Sequence, residues 1–545
     1  MHKLKPKQTS NTFRFRKHSS IGAPDAESDS EFLEHCFIDI GDLEVLRDTD
    51  SPKRIVLGRT GSGKSALLRE LVRREEHVVE LNPQALALNH VANSNIVQFL
   101  EAAGVNLDSF YQLLWKHVLA IELLSMKFSL SSGNSQPLWE IIKDGLNQKS
   151  TRRKAIDYVE QWAPKFWLES EFRVKEITQK FEENAKADFK GRIDVLEIGV
   201  GGGRALSEEL KAEVVTKGQR VVNELQLQEL AELIRLLGEE IFVDPQQKYF
   251  VVIDTLDENW VDDRIKLKLI RALLEVARSF QKVRQVKIIV ALRIDLIRRV
   301  FNRTRDSGFQ EEKFEGLSLN VGWRPANIRQ MLEERINYLI RRDYTSTKLT
   351  FEDIFPNRVG GYSAFDYIVD RTLLRPRDAI SFVNECLSLV EGKTTVNSAT
   401  VKQAEGVYSH GRMDALVDEW IADYPCLKTY TKFIAGKPSR LKLSEFSKAV
   451  VESYIVDVCS DLPEGDFIYR TGQDVMDGKK TPHAFVIEMV KILYGVGLLG
   501  VKPEAYAKFQ WAFDPHASLS DGQIKPSASI EIHPAYSRAL GVRSV

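Results

Sequence analysis

Gly58-Arg59-Thr60-Gly61-Ser62-Gly63-Lys64-Ser65 constrains this 545-residue chain more than any other stretch. The octapeptide satisfies G-x-x-x-x-G-K-[ST] in full, and its flanks suit such a loop. Arg54-Ile55-Val56-Leu57 predicts a short buried strand before it, and Ala66 to Val72 carries apolar residues at helical spacing after it. A strand that feeds a glycine-rich turn and then a helix N-terminus gathers backbone N–H groups around an anion, because glycine accepts positive φ and close approach. Lys64 then reaches the β- and γ-phosphates, and Ser65 offers a hydroxyl to Mg²⁺. The expected contacts of a nucleoside triphosphate are Gly58, Arg59, Thr60, Gly61, Ser62, Gly63, Lys64, Ser65 and Ala66.

The length exceeds what one core supports, so three or four domains are expected. Apolar content of 43% with 28% charged residues describes a soluble globular chain, and a net charge of −1 argues against a uniformly basic, DNA-coating surface. The four cysteines, Cys36, Cys386, Cys426 and Cys459, show no paired spacing, which suggests neither a zinc site nor a disulfide framework and suits a reducing cytoplasm. The N-terminus lacks the apolar core of a signal peptide. The greasiest stretch, Leu113 to Met126, is broken by Lys116, His117 and Glu122, so no membrane span is expected.

Residues 1–30 are polar, with Lys3, Lys5, Lys7, Arg14, Arg16 and Lys17 followed by Asp25, Glu27, Asp29 and Glu31, and read as a disordered tail. A nucleotide-binding core is expected over 31–345. Its strands are the one before the loop, His77–Leu81, Tyr249–Ile253, Val286–Leu292 and Glu315–Val321, with helices over Asp262–Phe280 and from Pro325. Continuous apolar strands alternating with helices predict a doubly wound α/β sheet with ligand at the strands' carboxyl ends. Residues from about 90 to 245 read as a helical insertion that includes Glu224–Ile241; the glycine run Ile198–Arg204 inside it reads as a hairpin or loop, since no βαβ pattern surrounds it. A helical lid is expected over 346–410. Residues 411–545 carry helices, ending with Pro482–Tyr494, then strand-like runs near Tyr506–Phe513 and Ser527–Ile532, the order of a winged-helix domain.

A phosphate loop needs a carboxylate for its cation. Asp254 ends a fully apolar strand, where a charge is costly unless it serves a site, so it is the expected Mg²⁺ ligand with Ser65. Thr255 replaces the adjacent second acid of the common arrangement. Asp257 and Glu258 follow, and Asp257 is taken as the base that orients water, with Glu258 as alternate; the structural alternative is a pair of helix-start charges. Arg293 ends the neighbouring strand and is placed to meet the γ-phosphate, or else to pair with Asp295. Arg377, after Pro376, is a cation at the unfavourable end of a helix dipole, which favours a phosphate contact from the lid. Of the cluster Arg298, Arg299, Arg303 and Arg305, Arg303 and Arg305 are the candidate arginine fingers into an adjacent subunit, the alternative being a solvated basic face.

The loop, the segment Asp254-Thr255-Leu256-Asp257-Glu258, the strand-end Arg293 and the Arg375-Pro376-Arg377-Asp378 segment together resemble the STAND and KAP-like branch of AAA+ ATPases, with an acidic motif similar to the NACHT subgroup. The resemblance covers about residues 31–545, and its specific motifs are the phosphate loop and the acidic segment. It implies ATP rather than GTP, nucleotide-dependent switching, a homo-oligomer, and a setting in anti-phage defence or mobile elements. It also implies that a winged-helix histidine meets the β-phosphate of ADP, and His533 stands at the corresponding junction, although Pro534 replaces the usual aspartate; the alternative is a histidine that satisfies local backbone at a turn. Two further departures are the missing membrane spans of KAP proteins and the missing repeat array of STAND proteins.

The leading expectation is therefore a regulatory, cytoplasmic ATPase that hydrolyses ATP with Mg²⁺ and controls a separate effector protein. The alternative is a DNA-handling AAA+ ATPase that grips duplex DNA through the winged helix. DNA is not favoured, because Phe485, Val486, Ile487, Met489, Val490, Ile492 and Leu493 suit the helix Pro482–Tyr494 to packing, and Lys491 is its one strong cation.

Overall fold

A computed structural model describes residues 13–84, 86, 97–98, 100–101, 104–127, 215–216, 234–258, 260–304, 311–341, 348–514 and 519–543. The chain divides into two compact units. One, the sheet unit, comprises Asp39–Arg59 and Gly63–Val321; the other, the helical unit, comprises Met1–Ile38, Thr60–Ser62 and Gly322–Val545.

The sheet unit is built on five parallel strands: β1 (Ile55–Gly58), β2 (Val78–Leu81), β3 (Tyr249–Ile253), β4 (Val286–Arg293) and β5 (Ser318–Asn320), in the order β2-β3-β4-β1-β5. Every residue of β1 and β3 is buried, as the unbroken apolar runs require of strands covered on both faces. β4 separates β1 from β3, and its last residue, Arg293, lies in register with Gly58. The buried Lys287 of β4 donates to the carbonyls of Val45 (2.7 Å) and Asp48 (2.6 Å), and burial pushes its ammonium down to about 7. These carbonyls cap the cost of placing an amine inside the sheet unit. β5 is shorter than the expected Glu315–Val321, because Glu312–Glu315 forms a helical turn before it.

Helix Asp263–Ser279 starts where Asp262 accepts from the Arg264 N–H at 3.0 Å, and it presents Ile265, Leu269, Ile270 and Leu273 inward. Helix Asp108–Lys127 packs against it, with the Trp115 indole donating to the Leu269 carbonyl at 2.9 Å. Most of this helix is buried. It is therefore a layer of the sheet unit, whereas the sequence placed it in an inserted segment; an all-round apolar helix is the mark of a core element. Of the expected helix Glu224–Ile241, the described end is a π-turn over Leu237–Ile241. The glycine run 198–204 lies outside the described residues.

In the helical unit, helices Pro325–Arg341, Ala364–Val369, Pro376–Ser388 and Ser398–Trp420 share one core with residues from the chain's beginning. Residues 13–30, expected as a disordered tail, depart from that reading: Phe15 and Ile21 are buried, and Asp29 pairs with Arg335 at 2.5 Å with both side chains about 4% exposed. Arg335 also donates to the Ile21 carbonyl, and Asn384 bonds both the Ile21 N–H and the Gly22 carbonyl. Gly22 has φ +104°, and a Cβ there would stand 2.2 Å from Asp29 Oδ1, so only glycine fits. Glu405 of helix Ser398–Trp420 accepts from Arg371 (2.6 Å), Tyr367 (2.7 Å) and Arg538 (3.3 Å) in a buried network.

Beyond this bundle, helices Lys448–Cys459, Phe467–Met476 and Pro482–Gly495 pack on an antiparallel sheet ordered Gln510–Trp511, Leu499–Lys502, Ser529–Ile532, Arg440–Lys442. Leu441, Leu499, Val501, Ile530 and Ile532 form its buried face. Helix Pro482–Gly495 buries Phe485, Val486, Met489, Val490, Ile492 and Leu493, in accord with its reading as a packing helix. Strand Leu499–Lys502 differs from the expected pattern, because Gly495, Gly497 and Gly500 break the apolar run that would mark it. Among the described residues no helix is long and apolar enough to cross a membrane.

Candidate nucleotide-binding site

In the sheet unit, β1 hands the chain to the loop and helix Lys64–Arg74 begins at Lys64, with Gly63 at φ 94° as its N-cap. Ser65 Oγ donates to Asp254 Oδ2 at 2.8 Å, which joins the starts of the loop helix and the end of β3. The other oxygen of Asp254 accepts from the Thr255 N–H at 2.8 Å. Thr255 itself sits at φ 59°, a left-handed conformation that a β-branched residue adopts at a cost of about 1–3 kcal/mol. That strain accompanies the turn that directs the carboxylate toward Ser65. Lys64 Nζ donates to the carbonyls of Gly58 and Arg59, each at 3.2 Å. Burial pushes its ammonium below the ordinary lysine value, opposed by the charges of Asp254 and Asp257.

Of the other sequence candidates of this unit, Arg293 and Asp257 lie close together. Arg293 binds Asp295 through two nitrogens, at 3.0 and 2.9 Å, and approaches Asp257 at 3.7 Å. Asp257 is thus held beside the strand-end arginine. Glu258 accepts from Gln84 Nε2 at 2.6 Å, a partner 174 positions away with no local pattern to announce it. Arg303 is exposed at the last turn of helix Ile294–Arg303, and Arg305 lies outside the described residues. Arg299 pairs with Asp263 at 2.9 Å.

In the helical unit, the loop tip Thr60–Ser62 meets three donors. Arg375 Nη1 reaches the Thr60 carbonyl at 3.1 Å, the Arg377 N–H points to the Gly61 carbonyl at 3.4 Å, and the Trp323 indole donates to the Ser62 carbonyl at 2.8 Å. Gly61 has φ +76°, and a Cβ there would stand 2.8 Å from Arg377 Cβ. Arg377 is the arginine that the helix-dipole pattern singles out, and Arg375 carries no such mark. Yet a residue before proline is held extended and outside the helix, and Arg375, at φ −109° and ψ 132°, is so held. The Arg377 Nε donates to the Pro24 carbonyl at 3.4 Å. Trp323 carried no signal. His533 is buried against Trp511 and Tyr536, and its Nδ1 accepts from the Ala535 N–H at 3.2 Å, which is a local turn cap.

The hydroxyls of Thr60 and Ser62 are buried with no hydrogen-bond partner among the described residues, as expected of a loop shaped for an acceptor-rich ligand. The paired oxygens of Ser65 and Asp254 suit a hard, oxygen-seeking cation such as Mg²⁺. The residues present fit a nucleoside triphosphate and its metal.

With this geometry established, three likenesses bear on the chain. The family described as the FunZ-associated C-terminal helical domain matches residues 326–417, which comprise most of the helical bundle. Over 537 residues, 95% of this chain, it is 21% identical to a protein of Escherichia coli (strain K12) named "Putative transposon gamma-delta 80.3 kDa protein". The chain spans 66% of that relative's length. A solved Walker-type ATPase of Pyrococcus abyssi shares 13% identity at a TM-score of 0.36, covering 90% of this chain and 95% of its own.

Proposed function

We propose that this chain is a Mg²⁺-dependent regulatory ATPase. The observation that carries the reading is the 2.8 Å contact between Ser65 of the phosphate loop and Asp254 at the end of β3, with Lys64 beside them. Ser65 and Asp254 would hold the cation, which on binding neutralises charge on the transferring phosphoryl group. The loop amides and Lys64 bind the phosphates. Asp257 or Glu258 orients the attacking water, and Arg293 meets the γ-phosphate from between the loop and Asp254. Arg303 is the candidate finger for a neighbouring copy. His533, whose Nδ1 accepts from the Ala535 N–H and so places the ring proton on Nε2, stays the candidate N–H donor to the β-phosphate of ADP. The bundle of residues 346–410 acts as lid and residues 411–545 as a winged-helix module, supported by three helices on an antiparallel sheet. Nucleotide state then controls a homo-oligomer and a separate effector protein.

A second reading, an ATPase that handles DNA within a mobile element, is supported by the transposon name of the Escherichia coli relative. Against duplex readout by its third helix stand the burial of Pro482–Gly495 and the ion pairs of Lys491 with Glu488 and Asp521. One experiment tests both: steady-state ATP hydrolysis by the purified chain, with and without duplex DNA. Turnover that Lys64→Ala abolishes, without loss of folding, is expected, and DNA leaves it unchanged under the first reading. Stimulation by DNA favours the second. Wild-type turnover in Lys64→Ala would sink both.

A further inference from the structure

We propose that Trp323, Arg375 and Arg377 are positioning residues that hold the tip of the phosphate loop in its anion-binding form. The proposal rests on reading Gly58–Ser65 as a nucleotide site. It starts from the three consecutive carbonyls of Thr60, Gly61 and Ser62, each engaged by one donor: the Arg375 guanidinium, the Arg377 N–H and the Trp323 indole. In a planar trans peptide the C=O and the N–H point in opposite directions. Fixing these carbonyls therefore fixes the N–H groups of Gly61, Ser62 and Gly63, which share their peptide planes, and aims them away from the three donors. Gly61 at φ 76° and Gly63 at φ 94° supply the left-handed turns that let neighbouring amides converge on an anion.

The donors are themselves anchored. Arg375 is 2% exposed and is held from behind by Glu419 at 3.4 Å, on the same helix as Glu405. Asp378 lies 4.0 Å from Arg375 and 3.3 Å from Arg412. A guanidinium buried against carboxylates is costly to build for packing alone, and its one hydrogen bond into the loop tip gives that burial a use. A loop tip released from its donors must be ordered by the ligand, at the ligand's expense in affinity. By reciprocity, bound nucleotide strengthens the three contacts by the same factor.

Trp323→Phe in the full chain keeps an aromatic ring at the position, though a smaller one, and removes the indole N–H. Measured against wild type, it should raise the Kd and the KM for Mg·ATP about 5- to 20-fold, the scale of one lost hydrogen bond. Its kcat should stay within about twofold, since the amides grip ground and transition states alike. Saturating Mg·ATP should slow hydrogen exchange at the Arg377 amide in wild type and do so less in Trp323→Phe, a response that a merely structural tryptophan does not produce. Arg375→Gln should act in the same direction, but it strands buried carboxylates and can fail to fold, so the tryptophan variant carries the test. Wild-type Kd and exchange behaviour in Trp323→Phe overturns the proposal and leaves the nucleotide site standing. A wild-type chain that binds no nucleotide, or a Lys64→Ala chain that binds it as well as wild type, overturns both.

Discussion

Ser65 and Asp254 stand 189 positions apart in the chain and meet at 2.8 Å, so the cation site exists only when β1 and β3 are joined through β4. Their division of labour from Asp257 and Glu258 can be separated by experiment. Asp254→Asn is expected to weaken nucleotide binding in the presence of Mg²⁺ and to spare binding in its absence, as read by titration with and without chelator. Asp257→Asn or Glu258→Gln should keep Mg·ATP binding and slow hydrolysis by about 10²-fold or more, the scale of a lost general base. The surroundings of the two acids differ: Asp257 faces the cation of Arg293, and Glu258 faces the neutral amide of Gln84. Unchanged turnover in both variants would move the role of base to another residue.

At the scale of the element, β4 carries a testable electrostatic liability. Its Lys287 has an ordinary value of 10.5, and burial pushes it down to about 7. Between those values the unfolded chain binds a proton that the folded chain lacks, so this group makes stability rise with pH across the window. Below about 7 both forms are protonated and the penalty is constant. Lys287→Met removes the titration, although it also frees the carbonyls of Val45 and Asp48. The stability difference between variant and wild type is therefore expected to move in the variant's favour as pH falls from 10 toward 7, by denaturant unfolding. Parallel pH profiles for the two proteins would show that Lys287 keeps its ordinary proton affinity.

For the whole molecule, the proposal of an oligomer places Arg303 outside its own site, at an exposed helix end. Turnover per subunit should then rise with protein concentration. Mixing Arg303→Ala with Lys64→Ala should restore part of the activity, because each copy supplies what the other lacks. Concentration-independent turnover by a monomer, with no recovery on mixing, would remove the finger.

The local alphabet of the chain determined the loop, the apolar strands β1, β3 and β4, the carboxylate at the end of β3 and the packing character of helix Pro482–Gly495. Each is written in adjacent residues, through glycine conformation, apolar periodicity or the cost of a charge at a buried strand's end. Tertiary structure decided what depends on partners far away in sequence. Residues 13–30 look solvated because their anchors Phe15 and Ile21 are isolated among charges, and their burial needs Arg335 and Asn384. Helix Asp108–Lys127 joined the sheet unit because packing against Asp263–Ser279, β2 and β3 covers its apolar surface. Arg375 joined Arg377 on the loop tip because a residue held extended before Pro376 can turn its guanidinium to the Thr60 carbonyl, while the Arg377 side chain packs against Gly61. Trp323 left no trace in the sequence at all: one indole N–H and one carbonyl 261 positions away have no local pattern, and only the folded chain brings them together.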